Sequence, residues 1–195
     1  MRALDRPGRP VVGDPYHLRR TEALLAWIQA RCADLGHTRV ADIADVDGDA
    51  ELDLVVAHRA LEREHDPRAL LERLAGTVGE GGDVVVVTPN RLTASPGRTR
   101  PVAAGHAWEY TPDELRHLLR LRFTDVRVWG LFHGRRLLTI ERILGTPLAP
   151  TLAVIAPPDR AIWLRAALRR ARATDFPIGA GRLTDALDLI AVARA

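Results

Sequence analysis

Residues 52–71 read LDLVVAHRALEREHDPRALL, and residues 79–90 read GEGGDVVVVTPN. The first run predicts a strand, a turn and the start of a helix, and the second predicts a glycine turn followed by another strand. Asp66 and Pro67 are typical of the N-cap and the first position of a helix. The run from Val84 to Val87 is unbroken and apolar, which is the pattern of a strand covered on both faces. Together they predict a βαβ unit.

Further elements are predicted on both sides of this unit. A helix is expected from Thr21 to Leu35, because apolar residues recur every three or four positions and Gly36 follows as a C-cap. Another begins at Thr111, where Pro112 and Glu114 complete a capping box. Residues 91–107 are expected to form a long loop. Strands are also predicted over 126–132 and 187–192, and an arginine-rich helix over 159–172.

Length and composition predict one folded domain over residues 16–195, preceded by a flexible arm over residues 1–15, which are rich in Pro, Gly and Arg. The sequence contains no lysine, which excludes a Schiff-base lysine and a phosphate-loop lysine. A net charge of +3 gives no support to a nucleic-acid partner.

Cysteine usage and hydropathy predict the compartment. Cys32 is the single cysteine, so neither an intrachain disulfide nor a cysteine-based metal cluster can form. No run is long and apolar enough to suggest a membrane span or a secretory signal, so a cytoplasmic protein is expected. The acidic residues 45–51 resemble a calcium loop, but Ala50 and Val56 stand where glycine and glutamate are needed. We expect no bound metal.

The chain resembles the class I S-adenosylmethionine (SAM)-dependent methyltransferases, in the manner of their type 11 members. The resemblance is carried by residues 52–90, by HAWEYTPDEL at 106–115 and by LDLIAV at 187–192. It implies an α/β fold of the Rossmann-like kind, with a mostly parallel sheet between flanking helices. It also implies SAM as cofactor and a small-molecule substrate.

The glycine-rich turn that holds SAM after the first strand of this family has no counterpart in the sequence. Only 51 residues precede Leu52, whereas three strands and two crossover helices need roughly 55–60 residues if one βαβ unit takes about 30. We therefore expect a contracted methyltransferase fold whose SAM-binding half is incomplete. The resemblance implies SAM, and the missing turn argues against its binding by a single chain.

Two placements are open for Val40 to Ile43. The segment can match the first strand of the family, with Asp45 and Asp47 where glycines belong, or it can match the end of the third strand. We favour the second placement, which makes Asp42 the SAM contact. Parallel neighbours need a crossover of a dozen or more residues. Adjacent strands here are therefore expected to be antiparallel, with Asp47 and Gly48 at the turn; parallel strands would need something between them, such as a strand of another chain.

Candidate site residues follow from the resemblance and from strand ends. Three histidines are candidate general bases: His65, which lies two residues beyond the family's position, His106 and His133. Four side chains are expected near the substrate, namely His58, Asn90, Trp108 and Tyr110. Four of these seven candidates also have a structural interpretation: a surface histidine for His65, helix entry for Trp108 and Tyr110, and a turn for Asn90.

The expected function is that of a methyltransferase-like protein with a degenerate cofactor site, acting as a partner subunit or binding a small molecule. A homodimer or a complete methyltransferase is the expected partner. The alternatives are an active SAM-dependent methyltransferase that completes its site by oligomerisation, and a SAM-independent enzyme that reuses the pocket.

Overall fold

The computed structural model describes residues 15–46, 50–145, 147–148 and 168–195. Its strands are β1 (Val40–Asp42), β2 (Leu52–His58), β3 (Val78–Pro89), β4 (Thr124–Leu131), β5 (Ile178–Gly179) and β6 (Asp188–Arg194). Its α-helices are α1 (Pro15–Leu35), α2 (Pro67–Thr77), α3 (Arg91–Ala94), α4 (Pro112–Leu119) and α5 (Arg135–Leu144). Short 3-10 turns cover Ile43–Asp45, Leu61–Arg63, Ala173–Asp175 and Leu183–Asp185.

The described strands form one mixed sheet in the order β1-β2-β3-β6-β4-β5. The pairings β1-β2 and β2-β3 are parallel, whereas β6 is antiparallel to both β3 and β4, and β5 is antiparallel to β4. Four strands, β1 to β4, therefore run in one direction and two run in the other. The expected α/β fold is confirmed, and the expected mostly parallel sheet is a mixed one.

The central strand β3 is buried on both faces, as its valines predict. Val84 and Val86 pack into the apolar layer on one face, and Val85 and Val87 pack into the layer on the other. None of the four is accessible to solvent. Full burial of each such side chain contributes about 1.5–3 kcal/mol, so this strand is the centre of the hydrophobic core.

Helices cover both faces of the sheet. Residues of α2 and α4 pack with one apolar layer, which contains Leu74 and Leu115, and α1 and α5 contribute Ile28 and Leu137 to the other. The predicted caps of α2 and α4 are confirmed. The Asp66 side chain accepts hydrogen bonds from the backbone at the start of α2, and the capping box joins Thr111 and Glu114 at the start of α4.

β1 and β2 are adjacent and parallel, with Val40 beside Leu54 and Asp42 beside Val56. The expectation that adjacency would make them antiparallel is therefore wrong, as is the expectation that parallel strands would have something between them. The parallel pairing is possible because β1 is short: its three residues rise only about 10 Å. Residues 43–51 can span about 30 Å when extended, which is ample for the short return to the start of β2.

This pairing also decides between the two placements of Val40 to Ile43. The first and fourth strands are neighbours in a doubly wound sheet. Since β2 is the strand matched to the fourth, its neighbour β1 lies where the first strand belongs. The pairing supports the first placement, and our preference for the third strand is not supported.

Two predicted segments lie almost wholly outside the described residues, and one helix of the structure was not predicted. The predicted helix over residues 159–172 and the arm over residues 1–15 lie almost wholly outside the described residues. Helix α5 had not been predicted, although Gly134 precedes it and Gly145 ends it with a φ of 64°. Its ten residues are amphipathic, with Leu137 buried and Leu138 and Ile143 exposed, so a signal for this helix was present in the sequence.

Candidate functional site

The carboxyl ends of β1, β2 and β3 lie at one edge of the sheet, and the antiparallel strand β6 begins at the same edge. Asp42 and His58 are the last residues of their strands, Asn90 follows β3, and Asp188 opens β6. Open α/β sheets bind their ligands outside the carboxyl ends of the strands. This edge, which we call the carboxyl edge, is therefore the candidate functional site.

A buried ion pair lies at the centre of the carboxyl edge. Arg20 of α1 reaches Asp188 with its Nε 2.6 Å from Oδ2 and a terminal nitrogen 2.5 Å from Oδ1. Burial alone would raise the pKa of Asp188, but the charges of Arg20 and Arg59 outweigh burial and lower it. Asp188 is therefore ionised at neutral pH, and its charge is balanced by side chains from α1 and from the end of β2.

Sequence reasoning missed both residues of this pair. A signal was present, because Arg20 stands four residues before Leu24 and eight before Ile28, at the spacing of the buried face of α1. Asp188 likewise interrupts the apolar run of the last strand. A charged residue at a core position is an indication of a buried partner.

Arg59 and Glu62 extend the charged group toward β3. Arg59 has a φ of 58°, which is unusual for a residue other than glycine and costs about 1–3 kcal/mol. Its guanidinium lies 3.3 Å from Asp188 and 3.7 Å from Glu62. Glu62 is inaccessible to solvent and accepts a hydrogen bond from Thr88 at 3.2 Å. Burial raises the pKa of Glu62, although the charge of Arg59 opposes this.

His58 lines a small cavity beside the ion pair. Burial, and then the charge of Arg59, lower the pKa of His58 to about 4, so its ring is neutral at pH 7. The cavity has a volume of about 220 Å³ including space open to solvent, below the 300–1,000 Å³ of most ligand pockets. Its lining consists of His17, Arg20, Thr21, Leu24, His58, Arg59 and Asp188.

The segment 106–110 lies directly on the turn that carries Glu62. The backbone N–H groups of Ala107 and Trp108 donate to the Glu62 carbonyl at 2.7 and 3.2 Å. The His106 Nδ1 lies 3.0 Å from Glu109 Oε1, and the side chain of Glu109 is inaccessible to solvent. The structure thus places His106 beside Glu62 and leaves Trp108 53% exposed.

Tyr110 is the last residue of this segment and pairs with Asn90 through an isolated parallel β-bridge. Its hydroxyl oxygen is buried. Burial, followed by the charges of Glu114 and Glu62, raises the pKa of Tyr110 to about 12. The hydroxyl is therefore protonated at neutral pH and can donate a hydrogen bond.

His133 is buried in a chain of side chains that joins α1 to α5. Its Nε2 lies 2.5 Å from the Tyr16 hydroxyl, and its Nδ1 lies 3.0 Å from Glu141. Burial lowers the pKa of His133, although the charge of Glu141 opposes this. Since both ring nitrogens are engaged by protein groups, the arrangement favours a structural role over the predicted general base.

Asn90 and Asp42, two further predicted site residues, also lie at the carboxyl edge. The Asn90 amide donates to the carbonyls of Leu183 and Ala186, and its oxygen accepts from Leu92, so it holds two loops together. Asp42 is half-buried and accepts from the Ala44 N–H. Burial raises the pKa of Asp42.

His65 is exposed, in the turn before α2. Of the three predicted bases, His106 is the one that adjoins the segment bonded to Glu62, and its charge acts on Glu62. His58 joins this group through Arg59, whose charge acts on both His58 and Glu62.

A mixed sheet covered by helices on both faces, with parallel strands whose carboxyl ends lie together, defines a Rossmann-like α/β protein. Comparison with known proteins identifies the particular family. A probable SAM-dependent methyltransferase of Mycolicibacterium smegmatis is 31% identical over 194 residues, which cover 95% of this chain and 73% of the relative. A probable SAM-dependent methyltransferase of Mycobacterium tuberculosis is 35% identical over 156 residues, which cover 74% of this chain.

The chain belongs to the SAM-dependent methyltransferase family. It spans 56% of the length of the Mycobacterium tuberculosis relative. No protein-family model matches the sequence.

Solved structures resemble the chain more loosely. A SAM-dependent methyltransferase of Thermotoga maritima aligns with a TM-score of 0.48 at 12% identity, covering 78% of this chain and 60% of that one. One of Archaeoglobus fulgidus aligns with a TM-score of 0.45 at 15% identity, covering 86% and 80% of the two chains. Within the described residues, no helix has the length and apolar character needed to cross a membrane.

The described residues after β1 differ from the glycine-rich turn that the family resemblance implies. Where a glycine-rich turn would approach the ligand, β1 leads into a 3-10 turn formed by Ile43, Ala44 and Asp45, and Ile43 is buried. A side chain at each of these positions prevents the close backbone approach that glycine allows. The cavity at the carboxyl edge is also small, and Arg20 occupies the space next to it.

Proposed function

We propose that this chain is a SAM-dependent methyltransferase family member that does not methylate efficiently by itself. In this proposal it acts as a partner subunit or as a small-molecule-binding protein. The observation that carries the proposal is the turn after β1, where the buried Ile43 and the residues beside it replace the expected glycines. A polar ligand with a nucleoside and an amino-acid portion would have no backbone cradle there.

The electrostatics of the carboxyl edge support the same proposal. The Arg20–Asp188 ion pair is buried and bidentate, and Arg59 adds a second cation beside it. Removing one partner from a buried ion pair leaves an uncompensated charge, at a cost of about 3–5 kcal/mol. A ligand that displaced Arg20 from Asp188 would have to offset this cost.

The predicted site residues take different places in the proposal. His58, His106, Trp108 and Tyr110 line or flank the small-molecule site, and His65 and Asp42 stay candidates at its border. His133 and Asn90 hold the surrounding elements through their hydrogen bonds. No metal takes part in this proposal.

A second candidate function is an active methyltransferase that completes its site with another chain, either a second copy or a complete methyltransferase. One observation favours it. β1 is the first strand in the sheet order, so it pairs with β2 on one side and has no described strand on the other. An unpaired edge can accept a strand from another chain.

Thermal unfolding with SAM and S-adenosylhomocysteine tests the proposal, with adenosine as the control ligand. We expect no change in Tm at millimolar ligand. A site of micromolar affinity would raise the free energy of unfolding by roughly 4 kcal/mol under these conditions and Tm by several degrees, which would contradict the proposal. A SAM-dependent shift that grows with protein concentration, together with a dimer in sedimentation equilibrium, would instead establish the second candidate.

A further inference from the structure

Four buried side-chain oxygens at the carboxyl edge have no hydrogen-bond partner among the described residues, and one of them, Asp188 Oδ1, belongs to the ion pair with Arg20. The other three lie near the end of β2. They are Glu62 Oε1, Glu109 Oε2 and the Tyr110 hydroxyl. The side chains of Glu62 and Glu109 are both completely inaccessible to solvent. Buried polar atoms in native proteins are nearly always hydrogen-bonded, so each of these three requires an explanation.

The three atoms belong to one group of side chains, which we call the acidic cluster: Glu62, His106, Glu109 and Tyr110. Segment 106–108 is fixed on Glu62 by two backbone hydrogen bonds, and His106 holds Glu109 at 3.0 Å. The charge of Glu62 contributes to the raised pKa of Tyr110, and the charge of His106 acts on Glu62. The backbone hydrogen bonds to Glu62 and the His106–Glu109 contact are the geometric links that join these residues.

The positive charge available to the acidic cluster is small. Arg59 approaches Glu62 only to 3.7 Å and is shared with Asp188 at 3.3 Å. His106 pairs with one oxygen of Glu109, and the other oxygen has no hydrogen-bond partner in the part of the chain that the structure describes. Two buried carboxylates therefore face one shared guanidinium and one imidazole, and a further cation that donates hydrogen bonds would stabilise them.

An apolar surface lies next to the acidic cluster. Trp108 is 53% exposed, and its backbone is bonded to Glu62. Leu92 of α3 and Val102 of the loop that follows α3 are also exposed. Gly105, with a φ of 80°, precedes the segment and gives the chain freedom at this point. A ligand that reaches the acidic cluster past this segment would meet the indole face.

We propose that the acidic cluster binds the protonated amine of a small organic molecule whose apolar part lies against Trp108. The ammonium group donates to the free oxygens of Glu62 and Glu109 and lies next to the Tyr110 hydroxyl. This inference rests on the proposed function in its small-molecule-binding form and gives the class of that molecule. It involves no covalent step.

Isothermal titration calorimetry at pH 7 with 2-phenylethylamine tests the inference. The neutral 2-phenylethanol and the anionic 3-phenylpropanoate have nearly the same shape and serve as controls. We expect binding of the amine alone, weakened about tenfold or more in Glu109→Gln, because a charge-assisted hydrogen bond is lost. Glu72→Gln, at an exposed carboxylate paired with Arg122, is the matched control and leaves the affinity unchanged.

Three results would overturn the inference. They are no binding of the amine at concentrations up to ~10 mM, equal binding of the amine and the alcohol, and an affinity that Glu109→Gln does not change. Circular dichroism establishes that the variant is folded. If it is not, Tyr110→Phe removes a single oxygen, and an unchanged amine affinity in this variant then counts against the cluster. SAM binding is measured separately, so it can overturn the proposed function while amine binding upholds this site.

Discussion

Asp188 connects parts of the chain that are distant in sequence. Arg20 belongs to α1, Arg59 follows β2, and Asp188 begins β6. The desolvation of three charges is unfavourable by itself, and it is offset only while all three remain paired. At the scale of single residues, this group holds α1 against the sheet at the carboxyl edge.

Asp188→Asn is expected to reduce the free energy of unfolding by about 3–5 kcal/mol, because the buried Arg20 would lie beside a neutral amide. Urea denaturation followed by circular dichroism measures the change. Glu72→Gln is again the control, since its carboxylate is exposed and its pairing with Arg122 is worth less than about 1 kcal/mol. Equal losses of unfolding free energy in the two variants would show that the buried ion pair stabilises the fold no more than the exposed one.

At the scale of elements, the helices begin where their local sequence directs. The Thr111 hydroxyl accepts from the Glu114 N–H, and the Glu114 carboxylate accepts from the Thr111 N–H at 2.8 Å. Both bonds form within four residues, which explains why the start of α4 could be predicted from sequence. The helix matters for the site because Tyr110 and segment 106–109 immediately precede it.

Thr111→Ala is expected to lower the free energy of unfolding by about 1 kcal/mol, because the first turn of α4 loses its cap. Thr139→Ala is the matched control. Its hydroxyl bonds to the Arg135 carbonyl within α5, and it is exposed, so a change within about 0.5 kcal/mol is expected. Thermal and urea unfolding both report the difference, and a larger loss at Thr139 would contradict the role of the capping box.

For the whole molecule, the half-buried His58 and the buried His133 couple stability to pH. His58 and His133 have lowered pKa values in the folded state, and for His58 the pKa falls from 6.5 to about 4. As pH falls below 6.5, the unfolded chain takes up protons that the folded chain does not. The stability that these neutral rings contribute is therefore complete above pH 6.5 and is lost as pH falls toward 4.

We expect the wild-type protein to lose up to about 3 kcal/mol through His58 between pH 7 and pH 4. His58→Gln cannot titrate, so its free energy of unfolding is expected to fall less steeply over this range. Urea denaturation at a series of pH values measures both slopes. His65→Gln, at an exposed histidine, is the control with a wild-type slope. Parallel curves for wild type and His58→Gln would refute the coupling.

The sequence by itself determined the features that arise from local interactions: strands β2 and β3, the capped helices α2 and α4, and the absence of a glycine-rich turn. These depend on residues within one or two turns of each other, so their patterns are readable along the chain. The parallel pairing of β1 with β2 was decided by tertiary structure, because strand pairing depends on contacts between segments and on how short β1 is. Tertiary structure also decided which residues meet at the site. Arg20, Arg59 and Asp188 meet only after α1 packs on the sheet, and the burial that couples His106, Glu109 and Glu62 exists only in the folded chain.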